Sequence, residues 1–174
     1  MKKTVLTFGF LSGGLSAAMM FATMPFIYAI GLNLATVVGY TEMVISFLFV
    51  YFGIRSYRDN VLGGRIGFGR AFGAGILITL ISCVCYVVAW EIIYYNFMPD
   101  FLDRYSAYLM DGLKARGASA AEIEQLTAQT AEFKTMYSNP LIMAALSFLE
   151  PFPVGLLITA ISAAVLKRRT AAER

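Results

Sequence analysis

Four long apolar stretches limit what this chain can fold into more than any other feature. They cover residues 5–30, 35–54, 72–97 and 141–166, and most of the charged residues lie outside them. A helix needs about 20 apolar residues to cross the hydrocarbon core of a bilayer. Because each stretch reaches that length, the sequence predicts an all-α integral membrane bundle of four transmembrane helices. Residues 1–174 are expected to form a single membrane domain.

The basic residues predict the orientation of these spans. If the N-terminus is cytoplasmic, ten of the fourteen lysines and arginines fall on the cytoplasmic side. Since cytoplasmic segments are enriched in Lys and Arg, both termini are predicted to lie in the cytoplasm. These residues are divided among the span ends and form no separate basic domain, so nucleic acid is not expected as a partner. The ten residues are Lys2, Lys3, Arg55, Arg58, Arg65, Arg70, Lys167, Arg168, Arg169 and Arg174.

The segment 98–139, between the third and fourth spans, is long enough to fold on the outer side of the membrane. Its apolar residues recur at helical spacing in two stretches, and Gly117 between them occupies a typical C-cap position. Ser119 and Glu122 have the spacing of a capping box, in which each side chain satisfies a free backbone N–H. The sequence therefore predicts an outer helical hairpin. Its apolar stripes are expected to pack on each other or lie on the membrane surface, with a partner-binding groove as the alternative.

The usual residues of enzyme and metal sites are scarce. The chain has no histidine, and its two cysteines, Cys83 and Cys85, point about 200° apart on a helix. They cannot form a normal disulfide with each other. The glycine-rich run 63–70 lacks the Gly-Lys-Ser/Thr ending of a phosphate-binding loop, and no strand pattern precedes it. The sequence therefore predicts no catalytic, cofactor-binding or metal-binding residue, and we expect a protein that is not an enzyme.

Two acidic residues within the spans form a candidate intramembrane polar site. Glu42 lies about 18 Å from the inner end of the second span, and Glu150 about 24 Å from that of the fourth. A charged acid at the centre of a bilayer costs at least about 2.5 kcal/mol. Each is therefore expected to face the bundle interior, beside carbonyls freed by Pro151 and Pro153. Two interpretations stay open: a proton or cation site, or a neutral carboxyl bonded to a neighbouring helix.

Arg55, Arg58 and Asp59 follow the second span and are predicted to anchor a cytoplasmic loop. Arginines at a membrane edge can hold lipid phosphates, and the inner leaflet is anionic. Asp59 can instead pair with one of the arginines and fix the conformation of the loop. The pairing of Asp59 is the preferred interpretation.

A series of short motifs runs through nearly the whole chain. It comprises Gly53-Ile54-Arg55-Ser56-Tyr57-Arg58-Asp59, Gly63-Gly64, Phe68-Gly69-Arg70-Ala71-Phe72, Gly75-Ile76-Leu77-Ile78-Thr79, Trp90, Pro99-Asp100-Phe101, Gly117-Ala118-Ser119-Ala120-Ala121-Glu122, Tyr137-Ser138-Asn139-Pro140, and Glu150 before Pro153-Val154-Gly155-Leu156. The series resembles a bacterial membrane-protein family, domain of unknown function 4199. The resemblance implies a multi-pass protein of the bacterial cytoplasmic (inner) membrane with about four helices. It implies no activity.

Two functional hypotheses follow from these patterns. The first is a small, non-enzymatic envelope protein that acts through contacts with a second copy or another membrane protein in the lipid bilayer. The small-residue spacing of Gly9 and Gly13 favours close helix contacts of that kind. The alternative is an oligomeric transporter or channel that handles protons or cations through Glu42 and Glu150.

Overall fold

Proline and glycine set the ends of the first membrane-crossing segment. In the computed structural model, which describes residues 1–167, α1 covers Lys2–Thr23 and a single 3-10 turn covers Met24–Phe26. Pro25 lies in this turn, as expected of a residue that cannot donate a backbone hydrogen bond. The short α2, Ile27–Ile30, ends at Gly31, whose φ of 80° suits glycine alone among ordinary residues. Helix α1 therefore ends just before the Met24-Pro25 pair.

The second segment is a single long helix, α3, over Leu32–Val61. It continues beyond the apolar run and corrects one prediction: Arg55, Arg58 and Asp59 lie on its last turns and not in a loop. The physical reason is that polar side chains do not stop a helix. Glycines with positive φ do, and they follow at Gly63 (φ 65°) and Gly64 (φ 87°).

The third segment is continuous, whereas the fourth is broken. Helix α4 covers Phe68–Asn96, and the fourth segment consists of α7, Pro140–Leu149, and α8, Pro151–Leu166. Glu150 lies at the break. Because Pro151 has no N–H to donate within the helix, the ladder of backbone bonds is interrupted there, and the predicted break is confirmed.

Four segments in the described part of the chain are long and apolar enough to cross a membrane. They confirm the predicted all-α fold with four membrane-capable helices. Their bounds are Lys2–Ile30, Leu32–Val61, Phe68–Asn96 and Pro140–Leu166. The predictions for Arg168, Arg169 and Arg174 lie outside the described residues.

The described residues divide into two compact units, and whether they fold as a single domain stays a prediction. The bundle unit contains Met1–Trp90 and residues 147–167; the helical-pair unit contains Glu91–Leu146. In the bundle unit, glycines bring the helices into direct contact. A Cβ built on Gly13 of α1 would lie 2.4 Å from the Cys85 Cβ of α4, and one on Gly155 of α8 would lie 2.5 Å from the Thr79 Cγ2 of α4. Small residues therefore set the helix separation, as is common in membranes.

The helical-pair unit contains α5, Phe101–Ala115, and α6, Ala120–Tyr137. Gly117 has a φ of 72°, and Ser119 and Glu122 form the predicted capping box. The backbone N–H of Ser119 donates to Glu122 Oε2 at 2.7 Å, and this bond, with the Ser119 hydroxyl, holds the pKa of the carboxyl below its usual range. Lys134 of α6 pairs with Asp103 of α5 at 2.6 Å. The two predicted helices are present; their location outside the membrane stays a prediction.

Candidate functional site

Three serines meet where α1, α3 and α4 contact one another. The Ser12 hydroxyl donates to the Ser46 carbonyl oxygen at 2.8 Å and lies 2.9 Å from Ser82 Oγ. Since the single Ser12 hydrogen is used by the carbonyl, Ser82 is the donor in the second bond. All three side chains are at most 2% exposed. The cluster thus joins three helices by hydroxyl bonds within a buried interior.

Ser46 itself contributes a second, separate polar atom. Its Oγ is buried and has no hydrogen-bond partner among the described residues. Glu42 lies four residues earlier on the same face of α3, and the Thr23 side chain of α1 lies near its carboxyl. The Thr23 hydroxyl also lies 3.0 Å from the Met19 carbonyl, to which it donates. Glu42, half-buried, and Ser46 therefore form a polar stripe on α3 that faces α1.

Two threonines connect α4 and α8 in the same unit. Thr79 Oγ1 and Thr159 Oγ1 are 2.8 Å apart, and Thr79 Oγ1 lies 3.5 Å from the Gly155 carbonyl oxygen. Both threonines are fully buried. Gly155 leaves the space that the Thr79 methyl group fills. The contact therefore combines close glycine packing with a hydroxyl pair.

The second predicted acid, Glu150, has a different environment. Its Oε2 accepts a hydrogen bond of 2.8 Å from the Tyr86 hydroxyl of α4, and the carboxyl lies on the exposed surface of the bundle unit. The expectation that Glu150 faces the interior is therefore wrong for the single chain. The cause is its position at the break between α7 and α8, where the side chain leaves the packed face that Pro151 and Gly155 occupy.

The two acids are held by different helices. Glu42 lies beside Thr23 of α1, whereas Glu150 bonds to Tyr86 of α4, and within residues 1–167 no hydrogen bond joins the two acids. The structure thus does not assemble a shared carboxyl pocket inside one chain. Glu150 bonds to a neighbouring helix, and the choice between a proton or cation site and a neutral bonded carboxyl stays a prediction.

Arg58 joins the ends of α3 and α8. Its side chain is 11% exposed and binds Asp59 through two bonds, Nε to Oδ1 at 2.6 Å and Nη2 to Oδ2 at 3.1 Å. Its Nη1 lies 3.4 Å from the Leu166 carbonyl oxygen, one of the last carbonyls of α8, which lack partners within the helix. Asp59 also lies 3.7 Å from Arg55 Nε. The predicted pairing of Asp59 with an arginine is confirmed.

A comparison with known families identifies the family of this chain. A family model described as a protein of unknown function (DUF4199) matches residues 7–168. The chain belongs to the DUF4199 family. The match includes all the contacts described above, so they lie within the part of the chain that defines a DUF4199 protein. No curated protein and no solved structure matches the chain.

Sequence reasoning identified the acids and the arginines of this DUF4199 protein, but it missed the hydroxyl contacts between helices. A signal for them was present, since Ser12, Ser46 and Ser82 each fall within a predicted span. Hydroxyls within a span usually bond to their own helix, and nothing in the sequence distinguishes those that reach another. The contact between Thr79 and Thr159 could not be predicted for the same reason.

Proposed function

We propose that this protein is a multi-pass protein of the bacterial inner membrane, with both termini in the cytoplasm, that acts through contacts with other membrane helices and not as an enzyme. The observation that carries the proposal is the exposed Glu150 carboxyl on a membrane-capable segment. Glu150 lies ten residues from the start of Pro140–Leu166, or about 15 Å along a segment of about 40 Å. This places the carboxyl within a hydrocarbon core of about 30 Å.

Lipid tails cannot hydrogen-bond a carboxyl, so exposure of Glu150 to lipid is costly. Tyr86 supplies one hydrogen bond, which leaves further acceptor capacity on the two carboxyl oxygens. A hydroxyl or amide from another helix would use this capacity. The tight interior favours the same conclusion, because glycine contacts and hydroxyl pairs already join the helices of a single chain. New helix contacts would therefore form on the outer surface of the bundle unit.

Association in membranes tests this proposal. The full chain would be labelled with fluorophores, reconstituted in lipid vesicles and compared with the Glu150→Leu variant by energy transfer at several protein-to-lipid ratios. A polar contact between membrane helices contributes about 0.6 to 1.7 kcal/mol, so association should weaken roughly three- to fifteenfold. Glu124→Leu, which removes an exposed acid of α6, serves as the control. A native chain that stays monomeric in vesicles and in its native membranes would contradict the proposal.

A second candidate function, proton or cation handling by an oligomer, is favoured by the polar stripe of Glu42 and Ser46 on α3. A half-buried carboxyl one turn from an unpartnered buried hydroxyl is the kind of oxygen set that protons and hard cations use. Liposomes with a pH-sensitive dye would test for flux under proton and sodium gradients. Flux in the native chain that is lost in both Glu42→Gln and Glu150→Gln supports this function; absence of flux in the native chain removes it.

A further inference from the structure

One end of the bundle unit carries a concentration of positive charge that the positions of the helix ends explain. Helix α1 begins there and α3 ends there, since a Cβ on Gly53 of α3 would lie 3.0 Å from the Phe8 Cβ of α1. The connector 62–67 places the start of α4 beside the end of α3. The bond from Arg58 to the Leu166 carbonyl places the end of α8 there as well.

This basic end, as we call it, combines seven basic side chains with a single acid, Asp59, among the described residues. Asp59 is bound by two nitrogens of Arg58 at 2.6 and 3.1 Å. The Arg58 side chain is itself nearly buried. Arg55 is 57% exposed and reaches Asp59 only at 3.7 Å. Six exposed basic side chains therefore have little internal compensation. They are Lys2, Lys3, Arg55, Arg65, Arg70 and Lys167.

The helix dipoles act in both directions at this end, because α1 and α4 begin there with partial positive charge and α3 and α8 end there with partial negative charge. Lys2 and Lys3 lie in the first turn of α1, and Arg70 lies in the first turn of α4. The first turn of a helix has a partial positive charge, so basic residues there are electrostatically unfavourable. Neither first turn contains an acidic residue. An external anion would offset this unfavourable interaction at the first turns of α1 and α4.

Apolar side chains next to these bases show what kind of anion fits. Phe68, which precedes Arg70, is 46% exposed, and Val61, which precedes the connector, is 52% exposed. A ligand with a negative headgroup and an apolar tail would contact both kinds of surface. A free anion would use only the charges. We propose that the basic end binds anionic phospholipid headgroups, with Arg55, Arg65 and Arg70 as the main contacts.

Lipid binding at the basic end does not depend on association between copies, so it can hold or fail separately from the proposed function. The full chain in a neutral detergent would be titrated with phosphatidylglycerol, and bound lipid would be counted by native mass spectrometry. Phosphatidylcholine and inorganic phosphate serve as separate probes. Each basic residue near an anionic surface contributes strongly to binding, so the triple variant Arg55→Gln, Arg65→Gln, Arg70→Gln should lose about tenfold to hundredfold in affinity for phosphatidylglycerol.

The matched control removes the same charge from the helical-pair unit, as Arg104→Gln, Lys114→Gln, Arg116→Gln. This control should bind phosphatidylglycerol like the native chain. Raising the salt concentration should also release the lipid from the native chain, which checks the electrostatic origin without any substitution. Equal affinity of the triple variant and the control, equal binding of phosphatidylcholine, or displacement of the lipid by equimolar inorganic phosphate would each overturn the proposal.

Discussion

The bundle unit and the helical-pair unit use polar side chains in opposite ways. In the bundle unit, buried hydroxyls reach between helices that are distant in sequence, as in the bonds from Ser12 to Ser46 and from Thr79 to Thr159. In the helical-pair unit, hydroxyls such as that of Thr130 bond to carbonyls of their own helix. Between its two helices the ion pair Lys134–Asp103 is exposed, and ring contacts such as Phe133–Tyr137 at 5.2 Å lie within α6.

This difference shows which forces each unit can rely on. A helix facing lipid gains little from burying apolar surface, because lipid tails are apolar too, so close packing and interhelical hydrogen bonds hold the bundle. If the helical pair lies outside the membrane as predicted, it gains from burial and needs its caps, since water competes for each hydrogen bond. Substitutions should therefore have large effects at glycines and buried polar contacts in one unit and small, local effects in the other.

The largest effect is expected where α1 touches α4. Gly13→Leu would force a side chain into a space where even a Cβ lies 2.4 Å from Cys85 Cβ. Overpacking typically lowers stability by about 1–3 kcal/mol, and the loss should be larger here because backbone atoms also lie close. Thermal unfolding in detergent would show this as a large loss of folded protein. Gly14→Leu, one residue along with open space around it, should fold normally; equal losses in both variants would show that α1 tolerates no leucine in this region.

A smaller loss is expected from Arg58→Gln, which removes the two bonds to Asp59 and the contact with the Leu166 carbonyl. Hydrogen bonds to charged groups contribute about 1.5–3 kcal/mol, and the Arg58 side chain is shielded from water. The matched change Lys134→Gln breaks an exposed pair worth at most about 1 kcal/mol. Unfolding temperatures of the two variants would be compared. A larger decrease for Lys134→Gln would show that the exposed ion pair stabilises the protein more than the Arg58 contacts do.

Thr79→Val tests the hydroxyl pair between α4 and α8. The methyl groups keep the shape, while Thr159 loses its partner at 2.8 Å. The expected loss is about 0.6 kcal/mol, with an upper bound of about 1.7 kcal/mol. Thr130→Val, whose hydroxyl bonds only to its own helix in the described contacts, should change stability by less than about 0.5 kcal/mol. Equal unfolding temperatures for the two variants would show that the interhelical pair adds nothing.

The smallest and most local effect is expected at the start of α6. Since the pKa of Glu122 is lowered in the folded state, its stabilising contribution is present above the ordinary pKa of a free glutamate and is lost as the pH falls through the lowered value. Hydrogen exchange of the first amides of α6 should therefore speed up on acidification, relative to the intrinsic rate. Glu122→Gln should remove this pH dependence while leaving the bundle amides unchanged. A change in the bundle amides as well would show that the two units unfold together.

Much of the fold could be predicted from the sequence because its causes are local. Apolar runs of sufficient length predicted four membrane-capable helices, Pro151 predicted the break at Glu150, and Ser119 with Glu122 predicted a cap. Each of these depends on residues a few positions apart. The end of α3 could not be placed correctly, because the apolar run stops at Ile54 while the helix continues until glycine permits positive φ.

The candidate site was predicted less completely, because its contacts depend on which helix faces which. The sequence by itself determined that Glu42 and Glu150 lie on membrane-capable helices and that basic residues gather at the helix ends. Only the tertiary structure decided which helix each of these residues contacts. Glu42 lies beside α1, Glu150 bonds to Tyr86 on the exposed surface, and Arg58 bonds to a carbonyl at the end of α8. The physical reason is that the rotation of a helix about its own axis decides whether a side chain faces the interior or the surface of the bundle. This rotation is set by packing against residues distant in sequence.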